Sequence, residues 1–134
     1  MKIKLLSLVA LSGVIVLGCA YKHRPMNNPE VEIINKVSLD QVQMVVKRVL
    51  TVIGWKVESE TSGVTLASLR KETLFAKIKV EYTTTEINIH YVDSQNLNYR
   101  NISGKGETIH SRYINWVTNL ADKLGKAINT LPTK

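Results

Sequence analysis

A helical period of apolar residues runs through the chain between Ser38 and Gly54. Ser38 and Gln41 stand at the spacing of a capping box, in which each side chain bonds the backbone of the other residue. Gly54 suits the position just past a helix end, because glycine adopts a positive φ without steric cost. The pattern therefore predicts an amphipathic helix. Its predicted buried face consists of Leu39, Val42, Val45, Val46, Val49, Leu50 and Ile53.

A second helical period begins at Thr108 and is closed by Pro132, which cannot continue a helix. Arg112, Asn119 and other polar residues occupy the faces away from its apolar stripe. The pattern predicts a second and longer amphipathic helix. Its stripe consists of Ile109, Tyr113, Trp116, Val117, Leu120, Leu124, Ala127, Ile128 and Leu131.

Between the two helices the apolar residues recur with a period of two instead. This alternation is typical of antiparallel strands that have one buried face and one wet face. Ser62-Gly63 has the composition of a turn, and residues 101–106 have the composition of a loop. Strands are predicted for residues 31–34, 55–57, 65–69, 76–82 and 87–91.

These elements predict an α+β domain with the order β-α-β-β-β-(β)-α. Consecutive strands joined by short turns pair as an antiparallel meander. A single layer of helices across the sheet buries the apolar faces of both helices and of the strands. The sequence therefore predicts two helices on one face of an antiparallel β-meander.

The first residues of the chain have the organisation of a secretory signal. Lys2 and Lys4 precede 13 uncharged, largely apolar residues at positions 5–17, and Cys19, the only cysteine, follows Gly18. Thirteen residues fall short of the roughly 20 needed to span a bilayer. The arrangement resembles the lipobox of bacterial lipoproteins. The resemblance implies cleavage after Gly18 and lipidation of Cys19.

The predicted domain organisation follows from this processing site. We expect a signal peptide at residues 1–18, a lipidated tether at residues 19–30 and a single α+β domain at residues 31–134. The prolines and asparagines of the tether segment favour an extended link with little to bury. Ala20, rather than aspartate, follows the cysteine. For a Gram-negative host, the lipoprotein resemblance then implies the outer membrane, with the domain in the periplasm or at the surface.

The formal net charge of +7 does not identify the class of partner that the protein binds. Without the two lysines of the predicted signal, 16 basic residues stand against 11 acidic ones, a balance of +5. Positive charge beside a lipid anchor favours anionic head groups or an acidic protein surface over nucleic acid. The basic residues are dispersed along the chain, so a merely soluble surface explains them equally well.

Residues that could carry catalysis or bind a metal are sparse. The one catalytic set worth considering has Ser94 as the nucleophile, His110 as the base and Asp93 as the acid. Adjacent Asp93 and Ser94 point in diverging directions, and no nucleophile elbow is present. The histidines are isolated and form no i, i+4 pair, which argues against a metal site or other cofactor. We expect Asp93, Ser94 and Asn96 to form turns. His110 is expected to support the first turn of the second helix or to bond the loop that contains Asp93 and Asn96.

Three stretches resemble a family of small proteobacterial outer-membrane lipoproteins. They are Gly54-Trp55, residues 82–99, which end in YVDSQNLNY, and residues 109–120, with the sequence IHSRYINWVTNL. The order of elements is also similar to the helix-grip fold. That fold occurs in allergen-like lipid-binding proteins and in a lipoprotein subunit of the outer-membrane barrel-assembly machinery. The resemblance implies an envelope lipoprotein and leaves its activity open.

Two functions are expected for a non-enzymatic domain on a lipid anchor, and an enzyme with His110 as general base is less favoured. The first is an interaction module for an envelope protein complex, through a free sheet edge or the polar faces around Arg112 and Asn119. The second is a carrier of a hydrophobic ligand in a gap between the long helix and the sheet. A close-packed core without a gap is the alternative, because the lining residues are large. The predicted lining consists of Ile78, Val80, Tyr82, Ile87, Ile89 and Tyr91 from the sheet and Tyr113, Trp116, Val117 and Leu120 from the helix.

Overall fold

The computed structural model describes residues 23–132, which contain eight strands and two helices. The signal peptide predicted at residues 1–18 and the predicted lipidation site, Cys19, lie outside the described residues. No helix in the described part is both long enough and apolar enough to cross a membrane. The elements are β1 (His23–Pro25), β2 (Glu30–Glu32), α1 (Leu39–Val52), β3 (Lys56–Thr61), β4 (Val64–Lys71), β5 (Leu74–Tyr82), β6 (Glu86–Gln95), β7 (Arg100–Ile102), β8 (Gly106–His110) and α2 (Ser111–Asn129).

The strands form two antiparallel sheets, which confirms the predicted α+β class. The larger sheet has the order β2-β6-β5-β4-β3, so β3 to β6 form the predicted meander. Along its central strand, β5, Ala76, Ile78, Val80 and Tyr82 are buried and the residues between them are half-exposed. The alternation arises because successive side chains of a strand point to opposite faces. The buried face forms one core with residues of both helices.

Helix α1 begins and ends where the sequence predicts. The Ser38 hydroxyl accepts a hydrogen bond from the Gln41 N–H at 3.2 Å, and the Gln41 side chain accepts one from the Ser38 N–H at 2.9 Å. At the other end Gly54 has a φ of 103°, and the Trp55 N–H donates to the Leu50 carbonyl oxygen at 2.9 Å. These bonds satisfy backbone groups that a helix leaves unpaired at its ends. They also turn the chain directly into β3.

A three-stranded sheet with the order β1-β8-β7 is the main difference from the predicted fold. The loop predicted at residues 101–106 belongs to a hairpin of β7 and β8. The second helix, predicted from Thr108, begins only at Ser111, and Ile109 lies in β8. This prediction was wrong because Ile109 fits the helical stripe and a short strand equally well. Ile109 adopts the strand conformation because it pairs with β1, which is far away in the sequence.

The described part of the predicted tether is paired with the domain. In β1, His23 lies opposite His110 of β8, and the Met26 N–H donates to the Glu107 carbonyl oxygen at 2.9 Å. Met26 also packs against the core. Backbone pairing orders this segment although it has few apolar side chains. Strand pairing uses the backbone N–H and C=O groups, and every residue except proline has both.

The C-terminal end of α2 is tied to the segment that follows β2. The Asn129 side chain donates to the Glu32 carbonyl oxygen at 3.0 Å and accepts from the Ile34 N–H at 2.9 Å. The Asn35 side chain donates to the Leu131 carbonyl oxygen at 2.9 Å. The helix, predicted to continue to Leu131, therefore ends two residues earlier, at Asn129.

Candidate functional site

The residues predicted to line a gap between the second helix and the sheet form the centre of the core. Eight of the ten are at most 4% exposed, and the other two, Tyr91 and Trp116, are partly buried against them. The structure therefore brings the predicted lining together, as helix and sheet residues of one cluster. The fully or nearly fully buried members are Ile78, Val80, Tyr82, Ile87, Ile89, Tyr113, Val117 and Leu120.

Three tyrosines form a cluster at the edge of this core. The rings of Tyr91 and Tyr99 stack with their centroids 4.4 Å apart, and Tyr113 meets Tyr91 edge-on at 5.6 Å. The hydroxyl oxygens of Tyr91 and Ser94 lie 2.7 Å apart, and the Tyr99 hydroxyl donates to the Glu107 carboxylate. The cluster joins two of the three stretches on which the family resemblance rests.

The surroundings of these tyrosines raise the pKa of each phenol. The hydrogen bond to the Glu107 carboxylate raises the pKa of Tyr99 to about 12, because an ionised phenol would face a second negative charge. Burial raises the pKa of Tyr91 and of Tyr113. All three phenols therefore stay protonated at neutral pH, and none is prepared to act as a base.

The Tyr113 hydroxyl is buried and has no hydrogen-bond partner among the described residues. We expect Tyr113→Phe to leave the free energy of unfolding unchanged, or to raise it by about 1 kcal/mol, because the variant removes an unpaired buried polar group. Tyr82→Phe is the matched control, since the Tyr82 hydroxyl lies 3.1 Å from the Thr65 hydroxyl. The free energy of unfolding of this control, measured by urea denaturation, should fall by about 1 kcal/mol. A larger loss for Tyr113→Phe than for Tyr82→Phe would contradict the assignment.

The side chains of Ser94 and His110 are each engaged by residues outside this candidate catalytic set, and Asp93 accepts a hydrogen bond from the Ser94 backbone. The Ser94 hydroxyl pairs with Tyr91, and the Ser94 N–H donates to an Asp93 carboxylate oxygen at 2.8 Å. Nδ1 of His110 accepts from the Arg112 N–H at 3.0 Å, so the imidazole caps α2. The role predicted for His110 in the first turn of the second helix is confirmed.

The histidines are less isolated in space than in the sequence. His23 and His110 are opposite each other in the β1-β8 pair, and Nε2 of His90 lies 3.0 Å from a Glu81 carboxylate oxygen. Within residues 23–132, no group of three or more His, Cys, Asp or Glu side chains could hold a metal ion.

The sheet edges are poorly suited to adding a strand from a partner protein. The edge strand β3 is charged and contains a register shift between Val57 and Ser59. Charges and bulges are devices that keep edges from pairing. The edge strands β1, β2 and β7 have only three residues each. Arg112 and Asn119, the other predicted interaction residues, are exposed on α2, apart from the lining of the groove described next.

An apolar groove with a basic rim lies between the C-terminal halves of α1 and α2. Its volume is about 490 Å³ and it is open to solvent. Val52 is 77% exposed there. The Thr130 hydroxyl donates to the Lys126 carbonyl oxygen at 2.7 Å, so this polar group is already engaged. The groove is lined by Val49, Val52, Ile53, Ala127 and Thr130, together with Arg48, Lys123 and Lys126.

The charged residues that line this helix groove are all basic. No Asp or Glu of the described chain lines it. Arg48 and Lys123 form no ion pair with any described residue, whereas Lys126 pairs with Asp122 at 3.3 Å. A second depression, of about 660 Å³, lies between β2 and α2 and is lined by Glu30, Glu32 and Asp122 as well as Lys126. The helix groove is therefore the basic and more apolar of the two.

Sequence reasoning missed the helix groove. The available signal was Val52, which is apolar but falls outside the predicted buried stripe of the first helix. The apolar stripe of a helix predicts which residues face the core. It does not predict which neighbouring residues lie next to a second helix.

No family model, no curated protein and no solved structure matches this chain.

Proposed function

We propose that this chain is a lipid-anchored protein of the bacterial cell envelope whose domain binds another molecule without changing it chemically. The observation that carries the binding role is the helix groove. Exposed apolar surface rimmed by polar groups is typical of binding sites, because it costs free energy while it faces water. The engagement of Ser94 and His110 by other partners gives further support to a non-enzymatic role.

The anchoring part of the proposal rests on Cys19 and the residues before it. Strand β1 begins at His23, four residues after the cysteine, so a lipid on Cys19 would hold the domain close to the membrane surface. A thioether-linked lipid and an acylated amino terminus together hold a protein far more firmly than a single acyl chain, which binds only marginally. Ala20 after the cysteine favours the outer membrane of a Gram-negative host.

Cys19→Ala is expected to abolish labelling of the chain by palmitate analogues in its host. The variant lacks the one thiol that could carry the lipid, so the precursor should also keep its signal peptide and migrate as a larger species. Labelling and precursor size are measured by gel fluorescence after click chemistry. Ala20→Ser is the matched control and should be processed and labelled normally. Normal labelling of Cys19→Ala would remove the lipoprotein proposal.

A further inference from the structure

We propose that the helix groove binds a single-chain fatty acid, with its acyl chain along the groove and its carboxylate at Arg48 and Lys123. This inference rests on the proposed binding function and names the class of ligand. It places the ligand on the outside of the helix layer rather than between helix and sheet.

The dimensions of the groove favour one acyl chain. Its volume of about 490 Å³ lies inside the range of roughly 300–1,000 Å³ that is typical of small-molecule sites. Its walls are short: residues 48–53 and 123–130 extend about 9 and 12 Å along their helix axes at 1.5 Å per residue. A stable protein partner would need about 800 Å² on each side, which a groove of two helical turns does not provide.

The charge of the groove favours a carboxylate. Arg48 and Lys123 have no acidic partner in the described chain, so a ligand anion need not displace one. A guanidinium can bind a carboxylate through two parallel hydrogen bonds. Arginine and lysine also lay apolar stems along a hydrophobic surface while their charged ends stay in water. An anionic amphiphile matches both properties, and the acidic depression across α2 would repel it.

The acyl chains proposed for Cys19 start far from the groove. Ala127 lies about 24 Å along α2 from Ser111, which follows the strand that pairs with β1. The four residues from Cys19 to His23 span at most about 14 Å when extended. The anchor would therefore enter the domain at the end of α2 opposite the groove.

The test is photo-crosslinking of the full chain as isolated from its host, reconstituted in neutral phosphatidylcholine vesicles, with a diazirine derivative of dodecanoate. Mass spectrometry of the digested protein locates the crosslinks. They should concentrate in residues 48–53 and 123–130, and unlabelled dodecanoate should compete for them, whereas dodecanol should not. The double variant Arg48→Glu with Lys123→Glu should lower labelling of these peptides about tenfold, which corresponds to about 1.4 kcal/mol.

Lys71→Glu with Lys105→Glu is the matched control, because both lysines are exposed outside the groove and the change in net charge is the same. The control should label like the parent protein. Equal losses in both double variants, crosslinks spread over the whole chain, or equal competition by dodecanol would overturn the assignment. The same samples are also analysed for a lipid on Cys19, which tests the proposed anchor separately. A lipidated chain without groove crosslinks rejects the fatty-acid site alone, and groove crosslinks on an unlipidated chain reject the anchor alone.

Discussion

Replacing Ile78 by alanine is expected to lower the free energy of unfolding by about 2–5 kcal/mol. Ile78 is fully buried in β5, the central strand of the five-stranded sheet. The truncation loses the free energy of burying the removed atoms and leaves a cavity that the surrounding side chains fill only in part. Domains of this size are stable by only about 5–15 kcal/mol, so the loss is a large fraction of the total. Urea denaturation followed by circular dichroism measures it.

Ile34→Ala is the matched control, because Ile34 is 72% exposed and the same atoms are removed. We expect its effect to stay within about 0.5 kcal/mol. If Ile78→Ala does not fold, Ile78→Val should still lose about 0.5–1.5 kcal/mol. An Ile78→Ala variant as stable as the parent protein would contradict a close-packed core. It would then favour the gap between helix and sheet that the sequence suggested as a ligand site.

Raising the pH from about 10 to about 12 is expected to destabilise the domain progressively. The pKa values of Tyr82, Tyr91, Tyr99 and Tyr113 are all raised above the usual value of 10.0. Below pH 10 these phenols are neutral in the folded and the unfolded chain, so their contribution to stability is fully present. Above pH 10 the unfolded chain ionises first, and the contribution is lost as the pH rises through the folded pKa values. Urea denaturation at each pH measures the loss.

Glu107→Gln tests the hydrogen bond that raises the pKa of Tyr99, and it also removes a smaller contribution to the raised pKa of Tyr91 and of Tyr113. The Glu107 carboxylate is the main reason that the pKa of Tyr99 reaches about 12, so removing its charge should return that pKa toward 10. Ultraviolet titration of the folded protein should then show phenolate absorbance rising at lower pH, with Tyr99 changing most. Glu32→Gln removes an exposed carboxylate from β2 and should leave the titration unchanged. An identical titration of Glu107→Gln and the parent protein would contradict the Tyr99–Glu107 bond.

The sequence predicts best where the stabilising bonds are local. Both ends of α1 were predicted correctly, because the Ser38–Gln41 capping box and the Gly54 turn involve residues only a few positions apart. The strands around residues 76–82 and 87–91 were also predicted, since their alternation records one buried and one wet face. Here the periodicity extends over enough residues to exclude a helix.

The prediction failed where short strands depend on distant partners. Residues 101–110 carry no long alternation, and Ile109 suits a helix as well as a strand. Their conformation is decided by pairing with one another and with β1, more than 80 residues earlier in the chain. The same pairing orders residues 23–25, which the sequence predicts as part of a tether. Three-residue strands have too few side chains to encode such a partner.

The sequence by itself determined the two amphipathic helices, the meander and most of the residues that form the core, and it predicts the lipid anchor at Cys19. Only the tertiary structure decided what borders that core. The tyrosine cluster combines residues of β6, the following loop and α2, and the helix groove combines Arg48 with Lys123, 75 positions apart. Helical periodicity indicates which face of each helix is buried. The groove depends on how two such helices lie side by side, and that is set by their shared packing on the sheet.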